Sequence, residues 1–403
     1  MWNAIYIKEE EMRESLMLTF PIQEYQHRLT KLVKQMDAQG LDAVVFTSDE
    51  NTFYFSGFNS IVWDSKVSTP GVLVITKDGD MSLTTSKGGR ETAKATSCVE
   101  DIRFYGADSE YATYAKAIVS LLIEKKLDKG VIGFEIGLGN KMHLNHIDRE
   151  DLFQELNEAT IADASSAVWA LRSVKSPLEI EKLRKCCDIN IKAIEKGLSS
   201  VTEGMTELEL YRMILQEYFR LGAEKTLTIG VRAGKDRYSQ SNCPPSERPI
   251  GKGEIILVDG GPVYKGYYSD IIREAVIGKP TQEQLDMFNV AREACYVGIE
   301  AVKPGVPINQ VCQVVDDFMD KSRYAPINVY KNWVGHSIGV GVHEFPMLDI
   351  HTDRLLEPGM TFAIEPYLYK EGVGSLGIEE NILVTETGCE ILTPSDSQLM
   401  IVS

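Results

Sequence analysis

Positive charge is scarce in this chain: 42 Lys and Arg stand against 59 Asp and Glu, a net charge of −17. Phosphate binding needs a basic face, so nucleic acid is excluded as a general partner, and an anionic membrane surface with it. No apolar run approaches the roughly 18 residues that span a bilayer, so no membrane helix is expected. The opening segment MWNAIYIKEEEMRESL has no basic region followed by an apolar stretch, and no signal peptide is expected from it. None of the seven cysteines forms a CxxC pair, and their number is odd. This pattern points to reduced, mostly buried thiols in a cytoplasmic protein. Cys186 and Cys187, adjacent on a predicted helix, read as buried residues. Histidine is scarcer still: there are six, and none between His146 and His336. No cysteine has a histidine close by in sequence, which leaves little support for a thiol nucleophile.

The 403 residues exceed one typical core and suffice for two domains. From Phe20 to about Asp163 helical and strand patterns alternate, as in an α/β domain. Tyr25, Leu29, Leu32, Val33 and Met36 keep helical spacing up to a stop at Gly40. AVVFTS, GVLVIT and VIGFEI are short β-branched runs, and YATYAKAIVSLLIEKKL is a helix. IGLGNK, with Gly137 and Gly139, lacks the third glycine of a dinucleotide loop and reads as a strand end. A boundary falls near 163–176, so the expected domains are 1–165 and 166–403. Ser176, Pro177 and Glu179 then open a helix with a capping box, as do Thr206 and Glu209. From Thr226 onward strands dominate, with two helices around 281–303 and 307–322. No internal repeat stands out.

VDGGPVYKGYYSDIIRE, residues 258–274, reads as a hairpin about Tyr264–Lys265. That register sets Asp259 opposite Asp270 on one face, with Cβ atoms about 5 Å apart. Two buried like charges repel unless a proton or a cation lies between them, and carboxylates are the usual ligands of hard divalent ions. Alternatively, one Asp caps a turn and the pairing is displaced by two. Further on, GHSIGVGVHEFP holds His336 and His343, LEPGMTFAIEP ends a β run at Glu365, and GIEENILV brings Glu379 into another. Each residue taken singly fits a satisfied core histidine or an edge-strand glutamate. Together, two Asp, one His and two Glu on or beside strands suit two divalent ions sharing carboxylates.

In order and spacing these four segments resemble the pita-bread metallopeptidases of family M24: prolidase, aminopeptidase P, methionine aminopeptidase and creatinase. LRSVKSPLEIEKLR followed by GMTELEL is similar to the start of the family's catalytic domain. EYQHRLTKLVKQMDAQGLDAVVFTS and NTFYFSGF resemble the N-terminal domain of the prolidase and creatinase branch. The resemblance implies a creatinase-like, ribonuclease-H-like α/β N-terminal domain ahead of an α+β pita-bread catalytic domain. It implies that Asp259, Asp270, His336, Glu365 and Glu379 hold two divalent ions, with Asp270 and Glu379 bridging. His343 would face substrate or support the ligands, and Glu365 would also move a proton to the leaving nitrogen. The implied reaction is attack of a bridging hydroxide on a polarised carbonyl. Four carboxylates and one imidazole suit Mn, Fe, Co or Zn without choosing among them. The resemblance also implies a homodimer, in which Trp63, Asp64 and Lys66 would reach a neighbouring subunit's site.

Three departures bear on the substrate. Proline-directed members of the family carry a histidine ahead of the first Asp, where this chain reads GVRAGKDRYSQSN. They carry another four residues before the metal histidine, where Asn332 stands. Many carry an arginine two residues before the last Glu, where Gly377 stands. Arg232, Arg237, Tyr238, Asn242 and Asn332 lie near those positions and are the expected substrate contacts. The expected function is therefore dinuclear-metal hydrolysis of an amide or related C–N bond in a small, non-peptide substrate. The alternatives are an Xaa-Pro dipeptidase or aminopeptidase acting on short peptides, a lyase acting on a small osmolyte, and a non-enzymatic binding module.

Overall fold

The computed structural model describes residues 17–65, 69–106 and 108–403. The opening segment read for a signal peptide, and Lys66, lie outside them. The chain divides into two compact units, the first ending at Leu171 and the second running Arg172–Ser403. No helix among the described residues is long and apolar enough to cross a membrane.

The first unit is α/β. Helix α1 (Ile22–Gln39) buries Tyr25, Leu32 and Met36 and stops at Gly40, whose φ of 67° is left-handed. In chain order β1 (Ala43–Phe46), α2 (Asp49–Ser56), β2 (Gly71–Thr76), β3 (Met81–Ser86), α3 (Arg90–Thr96) and β4 (Asp101–Tyr105) follow. Then come α4 (Tyr114–Glu124), β5 (Val131–Phe134), α5 (His146–Glu155), β6 (Thr160–Asp163) and α6 (Ser165–Arg172). One sheet of order β4-β3-β2-β1-β5-β6 carries them, antiparallel from β3 to β1 and parallel at both ends. Glu135, just past β5, is fully buried and accepts from the amides of Thr47 and Ser48 and from Asn51 Nδ2. It ties the end of β1 to β5, and the glycines of IGLGNK follow as a loop.

The second unit opens with α7 (Pro177–Ser199) and α8 (Glu207–Leu221), both with the expected capping boxes, which stabilise a helix start by ~1 kcal/mol each. Strands β7 (Lys225–Ala233), β8 (Ile255–Tyr264), β9 (Tyr267–Tyr268) and β10 (Ile271–Ile277) follow. Helices α9 (Gln282–Ala301) and α10 (Ile308–Lys321) come next. The chain then forms β11 (Trp333–Ser337), β12 (Glu344–Asp349), β13 (Thr361–Ile364), β14 (Tyr367–Lys370), β15 (Gly374–Gly377), β16 (Glu380–Val384), β17 (Cys389–Ile391) and β18 (Met400–Val402). One sheet runs β18-β10-β8-β7 and another β12-β11-β13-β16-β17, with β14 and β15 as a separate pair. Ile194, Leu198, Leu210 and Ile214 of α7 and α8 share a core with Val231, Val258 and Ile271. Met287, Ala291, Val311 and Val315 of α9 and α10 share one with Val334, Phe362 and Ile382. Two helices followed by a largely antiparallel sheet thus occur twice.

The hairpin register differs from the expected one. Tyr264 pairs with Tyr267 and Asp259 with Ile272, not with Asp270. The turn is Lys265–Gly266, with φ 52° and 80°, the left-handed pair that suits a two-residue hairpin. The turn centre therefore lies one residue beyond the expected one. The side-chain period of two keeps Asp259 and Asp270 on one face as diagonal neighbours. The ladder breaks at Ser269–Asp270, and there a Cβ on Gly261 would overlap the Ser269 carbonyl oxygen, so only glycine fits.

Glu344, at the start of β12, is fully buried between Arg172 and Lys175. It accepts from Arg172 Nε at 3.2 Å, Lys175 Nζ at 3.1 Å and the Gly341 amide at 3.0 Å. Burial alone would raise its pKa, but the two cations outweigh that and hold it below the usual range. Glu344→Gln leaves two buried cations short of charge and should cost ~3–5 kcal/mol in urea unfolding at pH 7. A depressed carboxyl pKa stabilises fully above about 4.3. That contribution is lost as pH falls through the lower folded-state value. The wild type should therefore lose stability more steeply than Glu344→Gln over that acid window.

Candidate metal centre

The five expected donors come from both sheets of the second unit. Asp259 is in β8 and Asp270 sits at the break before β10. His336 is in β11, Glu365 directly follows β13 and Glu379 directly precedes β16. Donor atoms of Asp259, Asp270 and Glu379 lie within 4.8 Å of one another, and so do those of His336, Glu365 and Glu379. Glu379 belongs to both groups. A third group, Asp270, His336 and His343, adds one donor to the expected five.

The electrostatics of this cluster are unfavourable as it stands. Burial drives the carboxyl pKa values of Asp259, Asp270, Glu365 and Glu379 upward, and their mutual repulsion drives the last three further. Burial also pushes the His336 imidazole down to about 4. Its Nδ1 lies 3.0 Å from the Ser337 carbonyl, which holds that proton and leaves the lone pair on Nε2. That Nε2 is 3.3 Å from Glu365 Oε1 and has no hydrogen-bond partner; nor do Asp270 Oδ1 or Glu379 Oε1. Buried acceptors left unsatisfied together at one point need a cation or protons between them. Hard oxygens with one imidazole fit divalent ions of the Mn, Fe, Co or Zn kind.

A polar scaffold that the sequence reading did not single out holds the break in β10. Asn381 Oδ1 accepts from the Asp270 amide at 3.1 Å and from Ser269 Oγ at 2.9 Å, while its Nδ2 donates to the Asp270 carbonyl. From the other side Tyr218 donates to Asn190, which donates to Gly260 O and Ser269 Oγ. The available signal was an asparagine inside the apolar run of GIEENILV.

The model of metallopeptidase family M24 matches residues 181–386, just over half of the chain. The chain belongs to this family. The creatinase/prolidase N-terminal domain matches residues 28–174. An uncharacterized peptidase of Staphylococcus aureus (strain bovine RF122 / ET3-1) is 29% identical over 367 residues, 91% of this chain and 98% of the relative. The solved Xaa-Pro dipeptidase from Bacillus anthracis is 26% identical, with a TM-score of 0.82, over 94% of this chain and 99% of that one. The prolidase from Pyrococcus horikoshii OT3 is 25% identical, with a TM-score of 0.79, over 93% and 100%. Membership of family M24 makes the chain a metal-dependent hydrolase of the prolidase and creatinase branch. The family generally uses two divalent ions, and the unsatisfied donors above fit that use.

Asp259, Asp270, His343 and Glu365 line a cavity of about 910 Å³. The His343 ring stands edge-on to His336 at 4.2 Å; lost hydration and then that neighbour push its pKa down to about 4. Of the expected substrate contacts, Arg232 and Asn242 line this cavity. Three others lie away from it. Arg237 is tied to Glu207 and the Pro244 carbonyl. The buried Tyr238 hydroxyl accepts from the Ile255 amide. Asn332, in the left-handed region, donates its amide to Asp316. Trp63 belongs to the first unit, where it packs edge-on to His143.

Chelator-treated protein resupplied with Mn²⁺ should take up two equivalents by elemental analysis, and Asp270→Ala should take up none. Absence of stoichiometric uptake of Mn, Fe, Co and Zn alike would refute the centre. Because the carboxyl pKa values are raised, binding should release protons and weaken as pH falls. Calorimetry in buffers of different ionisation enthalpy reads this directly. Asn381→Leu should weaken uptake by ~10–100-fold, as removal of ligand-orienting contacts does elsewhere.

Proposed function

We propose that the chain hydrolyses the bond before proline in short peptides, as a metal-dependent Xaa-Pro dipeptidase or aminopeptidase. The observation that carries this reading is the set of unsatisfied buried donors on Asp270, His336 and Glu379, beside a cavity that Asp259, Asp270 and Glu365 line. The fold around it is shared over nearly its whole length with an Xaa-Pro dipeptidase and a prolidase. The departures at Asn332, Gly377 and the histidine-free 147–335 stretch pointed instead to a non-peptide substrate. The comparisons support the peptide alternative better. Seven free thiols support a reducing, cytoplasmic setting.

Asp259, Asp270, His336, Glu365 and Glu379 would hold the two ions, Asp270 and Glu379 being shared. The bound ions would lower the pKa of water and polarise a substrate carbonyl. Glu365 faces the cavity, where its carboxyl oxygen is suited to take a proton and pass it to the leaving nitrogen. His343, neutral near pH 7, can accept or donate a hydrogen bond at the substrate's peptide group. Trp333 and Tyr330, stacked edge-on at 5.0 Å, make an apolar wall that excludes water and suits a proline ring.

Mn²⁺-loaded protein should cleave Ala-Pro and Gly-Pro, lose activity with chelator and regain it with metal. Glu365→Gln should lower kcat by ~10²–10⁴-fold. Release of amine from non-peptide amides, with none from any Xaa-Pro peptide, would replace this reading by the non-peptide one.

A further inference from the structure

Arg232 is a buried cation that, among the described residues, has no carboxylate within 4.0 Å, although its charge is felt by Asp259 and Glu274. It is 4% exposed and lies in β7, opposite Leu257, two residues along from the Gly230–Asp259 pair. The period of two therefore puts Arg232 on the same face of the sheet as Asp259, as its diagonal neighbour. The opposite face carries Val231, Ala233, Ile256 and Val258 into the core beneath α7 and α8. Arg232 thus turns away from the helices and lines the same cavity as Asp259 and Glu365.

Its partners are neutral. Nη1 donates to the Gln240 carbonyl at 3.0 Å and Nη2 to the Tyr367 hydroxyl at 3.2 Å, while Nε has no partner. Among the described residues no carboxylate comes within 4.0 Å of it. Asp259, on the same face, stays outside that distance and belongs to the donor set. Glu274, across Leu257 on that face, takes the Gly377 amide at 3.0 Å; burial raises its pKa, and the Gly377 amide and the Arg232 charge act against that rise. The cavity's other basic side chain, Lys331, is exposed and paired with Asp320 at 2.9 Å. A buried guanidinium that lines the cavity, is held by two neutral acceptors and keeps an unpartnered Nε is suited to an incoming anion.

We propose that Arg232 binds the free carboxylate of the substrate and thereby selects dipeptides. This rests on the peptidase reading above. Gly377 offers no side chain, and a Cβ there would meet the Tyr367 ring at 2.7 Å, so Tyr367 fills the space on that side and hands its hydroxyl to Arg232. Diagonal positions on a sheet are about 7–8 Å apart. An extended residue spans about 3.5 Å. A carboxylate one residue beyond the scissile bond fits between the donors and Arg232, whereas a longer peptide would carry its carboxylate past it.

The test compares Ala-Pro with Ala-Pro amide and Ala-Pro-Ala on the metal-loaded protein, together with calorimetric binding of L-proline and L-prolinamide. The wild type should favour the free dipeptide by at least ~30-fold in kcat/KM and bind L-proline over L-prolinamide. Arg232→Met should erase both preferences through KM while keeping its metal stoichiometry, and Arg232→Lys should restore part of them. Equal turnover of acid and amide by the wild type overturns the role of Arg232 and leaves the peptidase reading standing. Failure to cleave or bind either member overturns both. The wild-type contrast decides even if Arg232→Met does not fold.

Discussion

Four carboxylates buried within a few ångströms repel one another, and much of the second unit is arranged around holding them there. Left alone, such groups would take up protons or move apart. The chain limits that movement with backbone and amide contacts. Asn381 grips both sides of the Asp270 peptide, Asn190 and Tyr218 hold the adjoining Ser269, and the Ser337 carbonyl orients His336. The charged clamp of Arg172, Glu344 and Lys175 fixes the loop that carries His343. Each contact restrains a donor without competing for the atoms that face the ion, so repulsion among the donors becomes affinity for a cation.

What could be read in advance follows from the range of each interaction. Capping boxes at Ser176 and Thr206 are local, and they were legible from a few neighbouring residues. The donors were legible because their order and spacing resemble a family. The hairpin turn was misplaced by one residue because Tyr264, Lys265 and Gly266 all suit a turn, and only pairing with β7 and β10 decides among the registers. Asn381 joins residues 111 positions apart, and its place in an apolar run marks it without naming its partner. Arg237 and Tyr238 sit in the segment that pointed to substrate, yet their side chains are taken by Glu207 and Ile255, a choice made by tertiary packing. Arg232 in the same segment faces the other way, because strand alternation separates it from Val231 and Ala233.

Gly377 and Arg232 both meet Tyr367. Without a side chain at 377, Tyr367 packs over β15, and its hydroxyl meets a guanidinium arriving from β7 instead. Under the proposed role of Arg232, the positive end of the cavity comes from β7. A site whose charge-bearing parts can be moved between strands while the metal ligands stay in place can change its substrates without rebuilding its chemistry.

The twofold use of helix, helix and sheet has a consequence in time. The first half contributes Asp259 and Asp270, and the second contributes His336, Glu365 and Glu379, with Asn381 bracing the first half from the second. Neither half holds a competent set of ligands. The five proposed donors are therefore complete only once the chain has been made as far as residue 379.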